Sequence, residues 1–317
     1  VALGEMDVAL AVGMEKMYFE DRGRVLPAFT GCMDVEMLSQ MMEAFAEQEE
    51  KIKKEREARG ETEKAKSGQR TVFMDVYAMI ARAHMEKYGT TQRQMAVISS
   101  KNHYHSSMNP LAQYQNEFSV EEVLAAPEVA YPLTRPMCSP IGDGAAAVVI
   151  CSEAFANRIG ASHAVEVAAC MLASGEDPEA EKDESTMTKL AKSAYERAGL
   201  GPEDVNLAEV HDATAFGELY ATEGLCFCPV GGGGAFAEAG HTTLGGRLPV
   251  NVSGGLESQG HPIGATGVRQ VVELYWHLAG GGRAGKRQVE GAKVGLAQNA
   301  GGTVGASEAA LSVTILK

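Results

Sequence analysis

The segment Asn251 to Gly267, NVSGGLESQGHPIGATG, constrains this chain more than any other stretch. Two glycines follow Ser253, and Gly260, Gly264 and Gly267 bracket His261 and Pro262 just ahead of an amphipathic pattern. Glycine at this density lets a backbone approach a ligand or a neighbouring element closely. The spacing predicts a helix over 264–278 that begins tight against such a neighbour. His261 is held between Gly260 and Pro262, which gives its ring a defined direction. That suits a base that activates a thiol, or a donor that polarises a carbonyl. A turn histidine bonded to backbone is the other reading of the same residue.

Apolar runs and helical periods alternate around this segment, the pattern of an α/β protein. Asp7 to Gly13, DVALAVG, reads as a buried parallel strand with no cap or turn ahead of it. Its neighbours are expected earlier in the gene product or on another polypeptide. Met33 to Ala65 is strongly helical and densely charged, with Glu47/Lys51, Glu49/Lys53 and Glu50/Lys54 spaced i,i+4. It predicts a solvated helix ending near Gly60 and Gly68. Helices are expected over 71–87, 92–102 and 120–125, with a polar loop from His103 containing His105 and Asn109 that either lines a site or faces solvent. Gly142-Asp143-Gly144 reads as a tight turn, with Asp143 a turn residue, into a strand over 145–151.

The expected division is an N-terminal half, 1–159, with a loop and helical insertion over about 20–135, and a C-terminal half, 160–317. The second half should open with a strand over 164–172 and a helix over 185–198. Gly199 or, by preference, Gly201 supplies that helix's left-handed cap. A strand over 205–210 delivers His211 and Asp212 at its C-terminal end, where ligand sites of α/β sheets gather. A helix over 216–224 and strands over 293–298 and 309–316 complete the pattern.

The net charge of −14 and pI near 5.1 argue against nucleic-acid binding, which depends on Lys and Arg neutralising phosphates. An anionic small ligand is still compatible, because a few local cations and helix N-termini can hold phosphates. Cys32, Cys138, Cys151, Cys170, Cys226 and Cys228 are scattered, and Cys226 and Cys228 stand too close for zinc-ribbon spacing. Free thiols in a reducing cytosol and no metal site are therefore expected. No apolar run reaches the roughly 20 residues of a membrane span, and the N-terminus lacks signal-peptide regions, so a cytoplasmic location is predicted.

The segment GHPIGATG after Ser253-Gly254-Gly255-Leu256 closely resembles the active-site segment of thiolases. Glu209-Val210-His211-Asp212-Ala213 resembles the His-Asp-x-Phe motif of the sterol-carrier-protein-type branch. Gly13-Met14-Glu15-Lys16-Met17, His84-Met85-Glu86-Lys87-Tyr88-Gly89 and Ser139-Pro140-Ile141-Gly142-Asp143-Gly144 are further similarities. The resemblance covers nearly the whole chain except the charged stretch Glu43 to Gly68. It implies a thiolase-like α/β fold of two similar halves, mixed sheets sandwiched by helices, with the first half incomplete. It also implies an acyltransferase subunit of the 3-ketoacyl-CoA thiolase or acetyl-CoA acyltransferase kind, with coenzyme A as substrate and no cofactor.

By the same resemblance, His261 would pair with a nucleophilic cysteine and His211 would help form an oxyanion hole. Ser253, Gly254 and Gly255 would lie along the pantetheine arm, and Asn299, Gly301 and Gly302 would supply the oxyanion backbone. Family members place the nucleophile upstream of the strand matching Asp7 to Gly13. Ala213 and Thr214 stand where many have Cys-Phe, and Gln298 to Gly302 contains no cysteine. Tyr220 is then a candidate acid or base, with a core tyrosine as the other reading. Two alternatives stay open: a retro-aldolase acting on a β-hydroxyacyl-CoA, and a non-catalytic CoA-ester-binding or assembly subunit. The resemblance further implies a homodimer and a small zinc-ribbon/OB-fold partner.

Overall fold

A computed structural model describes the chain except for residues 22–24, 26, 28–30, 32–34, 37, 61–64, 68–69, 176–183 and 305–306. Cys32, Met33 and Gly68 lie outside the described residues. The C-terminal half is built on a four-stranded sheet in the order β5 (Val167–Ala173), β8 (Ser307–Leu316), β7 (Gly295–Val304), β6 (Leu207–Glu209). The β5/β8 and β8/β7 pairs are antiparallel and β7/β6 is parallel. Alternate residues Leu311, Val313 and Ile315 of β8 are buried, as a two-residue period requires of a covered face.

Helix α6 (Thr186–Ala198) covers the sheet with Met187, Leu190, Ala191 and Ala194, an i, i+3, i+4, i+7 stripe. The Ser185 side chain accepts from Thr188 N–H at its start. Gly199, at φ 68°, caps its end, so Gly199 and not Gly201 terminates the helix. Gly201 instead begins the turn at Pro202–Asp204 with an ordinary φ of −120°.

The N-terminal strand differs from its sequence expectation. β1 (Val8–Glu15) pairs antiparallel with β4 (Gly144–Cys151) in a two-stranded sheet, and Leu10, Val12 and Met14 are exposed. An unbroken apolar run carries no mark of direction, and α10 (Ile263–Leu278) packs against this pair. The contact is close: a Cβ on Gly13 would run into the Gly264 carbonyl and Ala265 Cα, and one on Gly264 into the Met14 carbonyl. Gly264 N–H also donates to Glu15 Oε2 at 3.1 Å. The same helix packs Leu274 with Leu207, Ala297 and Leu316 of the larger sheet, so α10 joins both sheets.

The charged stretch forms α1 (Leu38–Arg59), largely exposed as expected. It also docks: Phe45 is buried, and Arg56 grips Glu128 through two bonds of 3.1 and 2.6 Å beside the hairpin β2 (Glu128–Ala130) and β3 (Leu133–Thr134). Glu50 pairs with Lys54, whereas Glu49 turns to Lys66 and Arg70. Helix α2 (Val72–Tyr88) ends on left-handed Gly89. Helix α3 (Gln92–Ser107) runs five residues beyond the expected Asn102 and carries the presumed loop histidines inside it. His103 and His105 are buried and hydrogen-bonded to Pro136 O and Asn251 O. The polar run ends the amphipathic signal because its partners are distant in sequence. Helix α4 (Val120–Ala125) matches expectation, and α5 (Glu153–Ile159) follows β4. No helix among the described residues is long and apolar enough to cross a membrane.

Candidate active site

β6 ends at Glu209, and the chain then turns through His211 and Asp212 into α7 (Ala215–Gly224), capped by the Thr214 hydroxyl accepting from Gly217 N–H. The residues after Gly260 bring His261 to the same place at the start of α10. The two imidazoles meet edge to face, with centroids 4.9 Å apart. They share the wall of a cavity of about 210 Å³ with Tyr220, Gln298, Gly301 and Gly302. Phe73, Met74, Val76, Tyr77 and Ile80 of α2 supply much of its apolar side.

Hydrogen bonds fix which nitrogen of each ring carries the proton. The Gln270 amide donates to Gln298 O at 3.0 Å, which turns its own oxygen toward Asn299 Nδ2, also at 3.0 Å. Asn299 Nδ2 therefore also faces His211 Nδ1, 3.2 Å away, as a donor. His211 Nδ1 accepts, and its proton resides on Nε2. At His261 the order reverses. The Thr266 hydroxyl donates to Pro262 O at 3.0 Å, leaving its oxygen to accept from His261 Nδ1 at 2.8 Å. His261 thus keeps a free lone pair on Nε2. One ring offers an acceptor and the other a donor.

Burial lowers the pKa of both rings. His211 falls to about 4, through burial and then the Arg269 charge. His261 is held well below its usual value by burial, then by His211 and Arg269. Both imidazoles are neutral at pH 7. His105 is lowered to about 3 and His277 to about 4, again chiefly by burial. Unfolding releases these rings to a pKa near 6.5. Between about pH 4 and 6 the unfolded chain takes up more protons at these rings than it releases at Asp212 and Glu257, whose carboxyls are raised in the fold, so stability should rise with pH across that window. Denaturant midpoints at about pH 4.5 and 6 measure this, and equal midpoints would contradict it.

Beneath His211 lies a buried polar network that the sequence did not single out. Asn102 Nδ2 faces Asp212, Glu218 and Glu257 at 3.2, 3.0 and 3.0 Å, and Lys101 Nζ binds Glu218 at 2.5 Å. Crowding raises Asp212 well above the carboxylate range, by burial and then by Glu257 and Glu218. Glu257 is pushed up to about 8 by burial and Glu218. With one ammonium beside three carboxyl groups, the cluster holds a proton at neutral pH. Leu256 N–H donates to Asp212 Oδ1 at 2.7 Å, which ties the His211 turn to α9 (Gly255–Gln259).

The structure places Ser253, Gly254 and Gly255 in a buried turn, away from the cavity wall. Ser253 donates through Oγ to Glu209 at 2.5 Å and through its N–H at 3.0 Å. Gly254 lies at φ 104° against Ser106, and Gly255 at φ 62° against the Asp212 carboxylate. Protein packing accounts for these glycines. Gly267 is not under the same constraint, since a Cβ there would reach Asn299 only at 3.6 Å.

Gly301 and Gly302 do line the cavity, while Asn299 acts through its side chain on His211. Tyr220 stacks on Phe216 and faces the cavity. Tyr77 was missed by the sequence reading, although it lies on the same wall against Gly217. Asp143 anchors the backbone of Met17 and Tyr18 and the Lys16 ammonium, which together hold its carboxyl down at about 2. Among the described residues, Cys138, Cys151, Cys170, Cys226 and Cys228 are free, and none lines this cavity. No group of three or more His, Cys, Asp or Glu among the described residues is placed to hold a metal ion.

Asn299→Asp tests the proton arrangement. A carboxylate beside His211 Nδ1 would draw the proton there and present a lone pair at Nε2. Turnover should fall about 10²-fold or more with little change in fold. Steady-state kinetics beside a melting curve measure both, and unchanged kcat would remove the donor role of His211.

Residues 177–314 match the thiolase C-terminal domain-like family. The chain is 39% identical over 311 residues to an acetyl-CoA acetyltransferase of Methanothermobacter thermautotrophicus, covering 96% of this chain and 72% of that protein. It is 43% identical over 240 residues to human sterol carrier protein 2, covering 73% of this chain and 43% of that one. The solved structure of the Ltp2-ChsH2(DUF35) aldolase superposes with a TM-score of 0.72 at 21% identity, covering 99% of this chain and 74% of its own.

Proposed function

Because this chain belongs to the thiolase family, we propose that its two-histidine cavity makes or breaks a carbon–carbon bond beside the carbonyl of a CoA thioester, as a 3-ketoacyl-CoA thiolase or acetyl-CoA acyltransferase-like subunit. One observation carries the reading: His261 and His211 present a lone pair and an N–H to one cavity. C–C cleavage next to a thioester places an electron pair on the α-carbon, delocalised as an enolate oxygen. His211 Nε2–H is the donor for that oxygen. In thiolysis a thiol, which no cysteine among the described residues places on this wall, gives its proton to His261 Nε2 as its sulfur adds to the β-carbonyl. The Cα–Cβ bond breaks, the acyl group stays on sulfur, and His261 returns the proton to the α-carbon of the released acyl-CoA.

The same pair favours a second reading. With a β-hydroxyacyl-CoA, His261 Nε2 takes the hydroxyl proton, the Cα–Cβ bond breaks, and its electrons form the thioester enolate at His211 while the β-carbon leaves as a carbonyl compound. This retro-aldol needs no thiol nucleophile. A non-catalytic CoA-ester-binding subunit is the third case.

Incubation with a 3-ketoacyl-CoA and with a β-hydroxyacyl-CoA, read by intact mass and product analysis, separates the three. An acyl-enzyme with CoA-dependent cleavage supports thiolysis, and cleavage of the hydroxy substrate without an adduct supports the aldolase. CoA-ester binding with neither supports the binding subunit.

Coenzyme A enters this proposal as a substrate, with no cofactor, and Tyr220 is the proposed accessory acid or base. The proposal extends to a homodimer, a cytoplasmic setting and a small zinc-ribbon/OB-fold partner. The two-component name of the structural neighbour, an Ltp2-ChsH2(DUF35) aldolase, supports a second subunit of some kind. Light scattering of the purified chain, alone and with that partner, measures the assembly.

A further inference from the structure

Arg269 lies on α10, three residues beyond Thr266 and next to Gln270, the two residues that set the histidine protons. Its side chain inverts the usual habit of arginine, which keeps the stem buried and the head in water. The residue retains some exposure, yet all three guanidinium nitrogens are buried and make no hydrogen bond among the described residues. A buried, unpaired cation costs several kcal/mol unless its charge is used.

The guanidinium is within electrostatic reach of His211, His261, Glu209 and Asp212. Both oxygens of Glu209 are already engaged by Ser253, and Asp212 is held by Leu256 N–H and the Asn102 amide. Neither carboxyl hydrogen-bonds to Arg269.

Resting on the thioester reading above, we propose that Arg269 is a positioning residue of this site, whose buried positive charge, with no hydrogen-bonded partner among the described residues, acts on the two rings and on the enolate oxygen formed between them. It does not line the cavity, and acts through the field it sets there. Other titratable groups on the wall shared by the two rings are Tyr77 from α2, Tyr220 from α7 and Glu308 from β8, while Glu209 and Asp212 lie near the guanidinium and Glu15 of β1 accepts from Gly264 N–H. Arg287 adds a second, buried cation behind Arg269, bound to Glu273. Of the two arginines, Arg269 is the one with no carboxylate bound to it.

The test is histidine titration by NMR in the intact protein, with Arg269→Gln and Arg269→Lys. It needs no substrate, so it reports on the guanidinium even if the thioester reading fails. In Arg269→Gln both histidine pKa values should rise by about one unit, the scale of removing one nearby like charge. The acid limb of kcat/KM for an acyl-CoA should rise with them, and kcat/KM should fall about 10- to 100-fold. Arg269→Lys, which keeps the charge, should retain the low histidine values and recover most of the activity. Unchanged histidine titration in a folded Arg269→Gln overturns the proposal, and with a lowered Tm it marks Arg269 as a packing residue. Should the Gln variant not fold, Arg269→Met decides: raised histidine values support the role of charge, and unchanged values overturn it.

Discussion

Replacing His261 with alanine is expected to lower kcat/KM for the acyl-CoA roughly 10²- to 10⁴-fold, the usual contribution of a positioned base. The loss should appear in kcat more than in KM. The lone pair on Nε2 acts on a proton in flight, while the cavity wall from α2 that would receive an acyl group is untouched. Thr266 loses its partner but keeps its bond to Pro262 O, so the fold around the start of α10 should survive. His261→Asn is the sharper variant, because its side-chain amide nitrogen stands where Nδ1 does and can keep the contact to Thr266 without being a base at neutral pH. Stopped assays with an acyl-CoA, beside a melting curve, measure both effects. Activity within a factor of a few of the native protein would remove His261 from the reaction.

The second large effect concerns Gly13. Alanine there should cost about 2 to 3 kcal/mol of stability, the upper range for forcing a methyl into packed structure. In an ordinary strand position alanine would be no worse than glycine. Here the methyl would drive β1 into the Gly264 carbonyl and Ala265 Cα, rigid backbone that cannot rotate away. Activity should fall about 10²-fold as well, because α10 carries Thr266 and Gln270, and a shift near 1 Å misplaces both imidazoles. Gly267→Ala is the control. Its Cβ meets Asn299 only at ordinary contact distance, and alanine gains up to about 1 kcal/mol within a helix. Denaturant unfolding of both variants tests the contrast. Equal stability of Gly13→Ala and the native chain would show that the two backbones can part.

The elements with strong local signals were legible in the sequence. α4, α6 and α10 each have a cap or an apolar period that points to one answer, and β4 and β8 are apolar runs of strand length. The meeting of His211 and His261 was legible only through resemblance, since 50 residues separate them and no period relates them. What escaped is long-range and polar. The helix through His103 and His105 hides its logic because its partners are Asn251, Pro136 and Ser258. Glu218 and Glu257 look like surface residues until folding puts them, with Asp212, around the Asn102 amide. The Ser253-Gly254-Gly255 turn drew attention as a ligand contact because glycine marks close approach, but sequence does not say to what. Here it is Ser106 and Asp212. The direction of β1 was misread for a similar reason, as apolar residues alone do not distinguish a parallel from an antiparallel neighbour.

The proton positions on the two rings carry one more consequence. Each is set by a short-range partner, an amide on His211 and a hydroxyl on His261, and neither ring bears a charge at rest. Mobile ions screen exposed charges across about 10 Å at 0.1 M salt, but they have little hold on neutral dipoles inside a protein wall. Capture of a polyanionic thioester from solution and its subsequent chemistry should therefore part company as salt is added. The second should proceed at the same pace, whatever screening does to the first.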